Sequence, residues 1–183
     1  VGDMAAATAI GVAAVKAFGG IDILVNNAAI RPMRPFLETD EKEWQRVLAV
    51  DLHAARWLAK ICLPGMIERG WGRIINFAGM NAIQGYNGRA PVSVSKHGAW
   101  GLTKALAKEF AKQGITVNII SPGPIQPDEA DPDMRAHIEG MVTRVPMGRI
   151  GANDEIGAAV TFLASDGAAF MTGQMLQVNG GAE

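Results

Sequence analysis

Tyrosine occurs once in this 183-residue chain, at Tyr86, and cysteine once, at Cys62. A single cysteine excludes an internal disulfide and suits a reducing compartment, so a cytoplasmic location is expected. Cys62 lies among apolar helix residues and reads as buried core, because a free cysteine behaves as a small hydrophobe. Neither sign of charge dominates. Lys plus Arg number 17 and Asp plus Glu 18, a net charge of −1. That balance argues against a nucleic-acid partner and against an anionic membrane surface. No apolar run approaches the length of a membrane span, and no signal-peptide pattern is visible. His53, His97 and His137 are scattered without metal-ligand spacing, so no metal site is expected. There is no internal repeat and no interdomain linker, and residues 1–183 read as a single domain.

Hydrophobic residues make up 49% of the chain, enough for a substantial core. Their arrangement alternates between helical patterns and short apolar runs. An alanine-rich helix is predicted over 4–18, stopped by Gly19-Gly20. A strand follows at 21–26, then a loop through Arg31-Pro32-Met33-Arg34-Pro35. Asp40 and Glu43 have the spacing of a capping box, opening a helical region with a bend over 41–69. A second strand is predicted at 73–78, a loop rich in glycine at 79–91, a long helix at 92–112 and a third strand at 115–120. Residues 121–133 are rich in Pro and Asp. A short helix is predicted at 134–145, a helix capped by Asn153 running to about 164, and a last strand at 174–179. Strands alternating with helices imply crossover connections and a parallel sheet covered on both faces. The fold expected is α/β, a Rossmann-like, doubly wound, three-layer arrangement. The strand at 21–26 would stand at a sheet edge with an uncovered apolar face.

Four segments carry a family resemblance. Ile21-Asp22-Ile23-Leu24-Val25-Asn26-Asn27-Ala28-Ala29 resembles a strand ending in Asn-Asn-Ala-Gly. Gly72-Arg73-Ile74-Ile75-Asn76-Phe77-Ala78 resembles the next strand. Ile115 to Gly123 resembles a strand with its Pro-Gly turn, and Gly173 to Gly181 the last strand. In this order and spacing they resemble the short-chain dehydrogenase/reductase family, in the branch that includes 3-oxoacyl carrier-protein reductases. The resemblance implies NAD or NADP as cofactor, hydride transfer between nicotinamide and a carbonyl or alcohol carbon, and a homodimer or homotetramer. It also implies a chain that begins after the first two β-α units, including the glycine-rich turn that holds a pyrophosphate. Binding of the cofactor by this chain alone is therefore expected to be weak.

The departures bear on chemistry. The family's active site is an Asn-Ser-Tyr-Lys set, and only Lys96 matches it. Val92 stands at the tyrosine position, one helical turn before Lys96, where a phenol would sit beside the ammonium and exchange a proton. Gly79 stands at the serine position and Asp51 at the asparagine position. A threonine contacting cofactor aligns with Pro127. The candidate catalytic residues are Lys96 and Asp51. The candidate cofactor-binding residues are Asn26, Ala28, Lys96, Pro122, Gly123 and Ile125. An Asp51–Lys96 pair is expected, with a surface or structural salt bridge as its main role. Tyr86 is a candidate substitute acid from the loop before the active helix. Met80, Met141 and Met147 are candidate lining for an apolar pocket, and Trp57 and Trp100 candidates for an assembly interface on the two long helices.

Three functions follow. The first is a nicotinamide-dependent oxidoreductase whose hydride transfer is strongly impaired by the missing tyrosine and serine. The second is a non-redox enzyme of lyase or cyclase type on the same scaffold. The third is a catalytically dead subunit that supports an active homologue. The substrate is a small molecule of unstated identity.

Overall fold

The computed structural model of the chain describes residues 1–127 and 140–182. Four parallel strands run in the order β1 (Ile23–Asn26), β2 (Gly72–Phe77), β3 (Ile115–Pro122) and β4 (Met175–Val178). Their register pairs Ile23 with Arg73, Ile74 with Val117 and Ile120 with Leu176. The expected parallel α/β sheet is therefore present, with each strand within two residues of its predicted bounds.

Strand β3 is buried over seven consecutive residues and β2 over five, because helices cover both faces. On one face lie α1 (Met4–Phe18), α3 (Ala54–Arg69) and α4 (Ala90–Phe110), with α1 packed on α3. Leu24, Ile74, Ile115 and Val117 meet Cys62, Leu63 and Met66 there. On the other face, Ile75 and Ile120 pack with Leu163 of α5 (Asn153–Ala164). Side chains alternate between faces along each strand, so adjacent Ile74 and Ile75 enter different layers. Strand β1 lies at a sheet edge. Its Leu24 is buried under α3, while Ile23 and Val25 are exposed, as the uncovered apolar face requires.

Local signals account for the element ends, with two corrections. Asp3 caps α1 by accepting from the Ala6 N–H at 2.7 Å, and Gly19 ends it at φ 79°. Asp40 caps α2 (Glu41–Leu48) by accepting from the Glu43 N–H at 2.7 Å. The predicted box is only half formed, because the Glu43 carboxylate is drawn to Arg34 at 3.1 Å. Asn153 is the first residue of α5 and not its cap. The cap position is Ala152, whose N–H donates to the Glu155 carboxylate at 2.8 Å. The bend expected in 41–69 is a single π-helical turn, Ala49–His53, between α2 and α3. The long helix starts at Ala90, two residues early, with Pro91 in its first turn, where no N–H is missed. Of the predicted helix at 134–145, residues 134–139 lie outside the described residues, as does His137.

The turn from α4 into β3 abuts the turn from α3 into β2. A Cβ on Gly114 would lie 2.1 Å from the Gly70 carbonyl oxygen, and Gly114 has φ +76°. Gly101, inside α4, faces open space. We expect Gly114→Ala to lower the unfolding free energy by at least about 2 kcal/mol. Gly101→Ala should raise it by about 0.5–1 kcal/mol, the usual helix-interior gain. Urea denaturation of the two variants beside the parent measures both, and equal effects would refute the packing described.

Candidate active site

The carboxyl ends of a parallel sheet form a shared edge, where open α/β folds bind ligands. Here that edge collects the loop after Asn26, the loop after Phe77 and the Pro122–Ile125 turn. The π turn brings Asp51 to it. Inserting an extra residue into a helical turn re-aims side chains, and such turns recur at functional sites. The Asp51 side chain is fully buried. Its Oδ1 accepts from the Ile30 N–H at 2.8 Å, which ties the π turn to the loop after β1.

Lys96 reaches the same point from α4. Its Nζ donates to the Phe77 carbonyl oxygen at 3.2 Å and lies 3.5 Å from Asp51 Oδ2. That separation is an ion pair longer than a charge-assisted hydrogen bond of about 2.7–2.9 Å. Asp51 Oδ2 is buried and has no hydrogen-bond partner. The Lys96 side chain is 5% exposed, so the pair is buried and not the surface bridge that was one expectation. Burial pushes the Asp51 carboxyl up, against the opposing charge of Lys96 and the Ile30 N–H. Burial likewise pulls the Lys96 ammonium down, against the opposing charge of Asp51, and the Arg31 charge adds to the lowering. Desolvation thus drives both groups toward their neutral forms.

Val92 lies one turn before Lys96 and is fully buried. Gly79 follows β2 with φ +108° and ψ 172°, a conformation essentially restricted to glycine. The space beside it is open, with only the Pro122 carbonyl oxygen at 4.0 Å from a would-be Cβ. A serine there would be strained by its backbone and not by crowding.

Asn26, Ala28, Asp51 and Phe77 share one cavity of about 100 Å³ with Asn76 and Ala99. The Asn26 side chain has a structural task. Its amide donates to Asn76 Oδ1 at 2.8 Å, and Asn76 Nδ2 donates to Thr103 Oγ1 at 2.9 Å. Asn76, Thr103, the Ile30 amide and the Phe77 carbonyl were not singled out from sequence. The available signals were a polar residue inside an apolar strand and a threonine on a helix face otherwise apolar. Gly123 donates its N–H to Val178 O at 3.0 Å, and its would-be Cβ lies 2.7 Å from Asn179 Cα. Ile125 lines a second, larger cavity of about 570 Å³ with Met147, Asn179 and Gly180. Of the three methionines proposed as lining, Met147 borders a cavity, whereas Met80 and Met141 border neither.

The remaining candidates stand apart from the pair. Tyr86 is 41% exposed, and its contact with α4 is through its backbone N–H, 3.3 Å from Ser93 Oγ. The His97 ring lies 2.8 Å from the Ser93 carbonyl oxygen, and the His53 ring packs on Trp57. Trp100 packs against the cluster of Ala78, Ala99 and Ile119, with Lys104 over its ring at 4.9 Å. Cys62 is buried, which pushes its thiol up to about 11.

The pair is testable by halves. Lys96→Met should leave Asp51 buried without its cation, costing about 3–5 kcal/mol at pH 7. The Asp51 carboxyl is then held above its unfolded value near 4, so the folded state binds the extra proton in the window above that value. Stability of the variant should fall as pH rises from about 4 toward neutrality. Asp51→Leu with Lys96→Met should recover most of the loss. Urea denaturation across pH checks both, and additive losses in the double variant would contradict the pairing.

A family profile described as enoyl-(acyl carrier protein) reductase matches residues 1–183. Nodulation protein G of Azospirillum brasilense is 43% identical over 163 residues, which span 89% of this chain and 66% of that protein. The 3-oxoacyl-[acyl-carrier-protein] reductase of Escherichia coli (strain K12) is 40% identical over 167 residues, 90% of this chain and 67% of that protein. Acetoacetyl-CoA reductase of Allochromatium vinosum is 42% identical over 166 residues, at 89% and 66%. The chain thus spans about two thirds of the length of these relatives. A crystal structure from Sinorhizobium meliloti 1021, provisionally assigned as a short-chain alcohol dehydrogenase, superposes with a TM-score of 0.91 at 32% identity. That match covers 98% of this chain and 72% of that one. The matching profile, the relatives and the shared fold agree with the four strand motifs, and the chain belongs to the short-chain dehydrogenase/reductase family of oxidoreductases.

Proposed function

We propose that this chain serves a nicotinamide-dependent oxidoreductase whose hydride transfer is strongly weakened. The observation that carries the reading is Val92, an apolar and fully buried side chain one helical turn from Lys96. A carbonyl oxygen gaining hydride at its carbon needs a hydrogen-bond donor and then a proton. Valine supplies neither, and Gly79 brings no hydroxyl. NAD or NADP, when bound, supplies or accepts the hydride. The backbone after Asn26 and around Ala28 would border its ribose side, Lys96 would bond a ribose hydroxyl, and Pro122, Gly123 and Ile125 would border its nicotinamide end. The residues fit this end in part. Lys96 sits at the sheet's carboxyl edge, yet its ammonium is held by Phe77 O and Asp51.

A general acid contributes about 10²–10⁴-fold and an oxyanion donor about 10²–10³-fold. Against a median enzyme turnover of about 10 per second, kcat should be about 0.1 per second or less. The names of the relatives make 3-oxoacyl and acetoacetyl thioesters the first substrates to try. Nicotinamide absorbance with the full-length natural protein and these substrates is the measurement. Turnover above about 1 per second would overturn the reading. Restoring the phenol is not a simple reversal. Val92→Tyr overpacks a closed site at a cost of about 1–3 kcal/mol, and Gly79→Ser is strained at φ +108°.

The buried Asp51–Lys96 pair beside a cavity favours a second reading, a non-redox enzyme of lyase or cyclase type. Substrate conversion without any change in nicotinamide absorbance separates it from the first.

For assembly, we propose a homodimer or homotetramer through α3 and α4. These helices expose Ile67 and Val94, and α4 carries Trp100 at 4.9 Å from Lys104. Light scattering of the natural protein should give a multiple of the protomer mass, reduced by Trp100→Glu. A wild type that is monomeric in dilute solution would remove the proposal.

A further inference from the structure

The larger cavity has walls of its own, and none of Asp51, Gly79, Val92 and Lys96 lines it. It measures about 570 Å³, within the usual range of about 300–1,000 Å³ for small-molecule sites. Three segments enclose it: the Pro124–Ile125 turn after β3, residues 145–151 before α5, and residues 177–181 at the end of β4. Backbone hydrogen bonds fix these segments to one another. The Gly151 N–H donates to Pro124 O at 2.9 Å, the Met147 N–H to Gly180 O at 3.1 Å and the Gly123 N–H to Val178 O at 3.0 Å. A Cβ on Gly180 would lie 2.6 Å from Val145 Cγ1, so the last turn presses on the wall beside it. The cavity is therefore preformed. It is also open, because its lining residues Met147, Arg149 and Glu155 have side chains exposed to solvent.

We propose that this cavity binds a neutral, mainly apolar small molecule that presents a carbonyl oxygen, as an ester or a tertiary amide does. Ile125, Val145, Pro146, Met147 and Val178 offer apolar surface to its body. The acceptors of the lining are already engaged. Pro124 O, Gly180 O and Val178 O accept from the backbone donors named above, and Gln177 Oε1 accepts from Asn179 Nδ2 at 3.0 Å. Asn179 Oδ1 accepts from the Gly181 N–H at 3.0 Å, and the two Glu155 oxygens accept from Arg149 at 2.7 and 2.8 Å. Donors remain over. Gln177 Nε2 and Arg149 Nε donate to no group among the described residues. A ligand that complements this lining brings an acceptor and not a donor.

The charges at the rim select against ions. Arg149 and Glu155 form a two-bonded fork with no net charge. The hydrogen bonds from Arg149 hold the Glu155 carboxyl down to about 2, so the fork stays ionised near neutral pH. A carboxylate could approach Arg149 only beside Glu155, and an ammonium could approach Glu155 only beside Arg149. Neither ion regains there what it loses on leaving water. The lining holds no serine, threonine, cysteine, histidine or lysine, and its one carboxylate is a weak base, so the site binds without reacting. It rests on no part of the hydride-transfer reading.

The test is methyl NMR. The full-length natural protein, labelled with [methyl-13C]methionine, is titrated at pH 7 without nicotinamide. The probes are N,N-diethylbenzamide, benzoate and benzylamine, which share an aromatic ring and differ in charge. Met147 lines the cavity, whereas Met33 and Met80, on the loops after β1 and β2, line neither cavity and serve as references. The Met147 signal should shift and saturate with a Kd below about 1 mM for the amide, at least about tenfold tighter than for either ion. Gln177→Glu keeps the side-chain shape and the acceptor for Asn179 but replaces the spare donor with a charged acceptor. It should weaken amide binding about three- to tenfold. A Met147 shift that does not saturate, or that Met33 and Met80 match, overturns the proposal. So does benzoate or benzylamine binding as tightly as the amide, or a folded Gln177→Glu protein with undiminished amide binding. If that variant does not fold, the ranking of the three probes on the parent decides alone. Because no nicotinamide is present, either result stands whether or not the hydride reading fails.

Discussion

The β2–β3 ladder is the constraint on which the remaining structure depends. Six registered pairs join two strands whose residues are almost all buried. Such strands hide apolar side chains on both faces and so demand a helical layer on each. Parallel pairing also demands that every connection return to the same end of the sheet. The first demand places α3 and α4 on one side and α5 on the other. The second gathers the loops after β1, β2 and β3 at one carboxyl edge. The position of the site is therefore a consequence of how the core is buried.

Within that frame, polar groups link the layers. Asn26 reaches from the edge strand to Asn76 in β2, and Asn76 reaches on to Thr103 in α4. Asn26 thus finds its partner in the neighbouring strand and Asn76 in the helical layer. Asp51 and Lys96 tie a π turn, a helix and two loops together in the same way, through Ile30 and Phe77. The two networks differ in kind. The asparagine chain is neutral and its amides are paired, which suits a structural role. The Asp51–Lys96 pair is ionisable, with Oδ1 held by the Ile30 N–H and Oδ2 facing the lysine ammonium.

Val92 and Gly79 alter this region in opposite ways. Val92 fills its place with buried apolar atoms, which closes the helix face where a phenol would emerge. Gly79 leaves space but adopts a backbone conformation that side chains avoid. Neither side chain carries a hydrogen-bond donor. The polar groups that face the lysine ammonium are the Phe77 carbonyl and the Asp51 carboxylate.

Much of the architecture was legible in the sequence because periodicity and punctuation act locally. Continuous apolar runs marked strands buried on both faces, Gly19, Gly70 and Gly114 marked element ends, and the chain alternated as a parallel sheet must. The family motifs gave the place of Lys96, Asp51, Gly79 and Val92 along the chain. Other features were beyond a local reading. Glu43 could satisfy a capping box or pair with Arg34, and only the folded loop brings Arg34 within 3.1 Å. Asp51 and Lys96 are 45 positions apart, and their burial depends on a π turn that sequence patterns register only as a bend. The backbone amide of Ile30 and carbonyl of Phe77, which hold Asp51 and Lys96, belong to backbone every residue shares, so composition cannot mark them. The sequence by itself determined which groups this protein can bring to chemistry, since side-chain identity sets what can ionise. Tertiary structure alone decided their protonation tendencies and partners, because those depend on desolvation and distance, which arise only when distant segments pack.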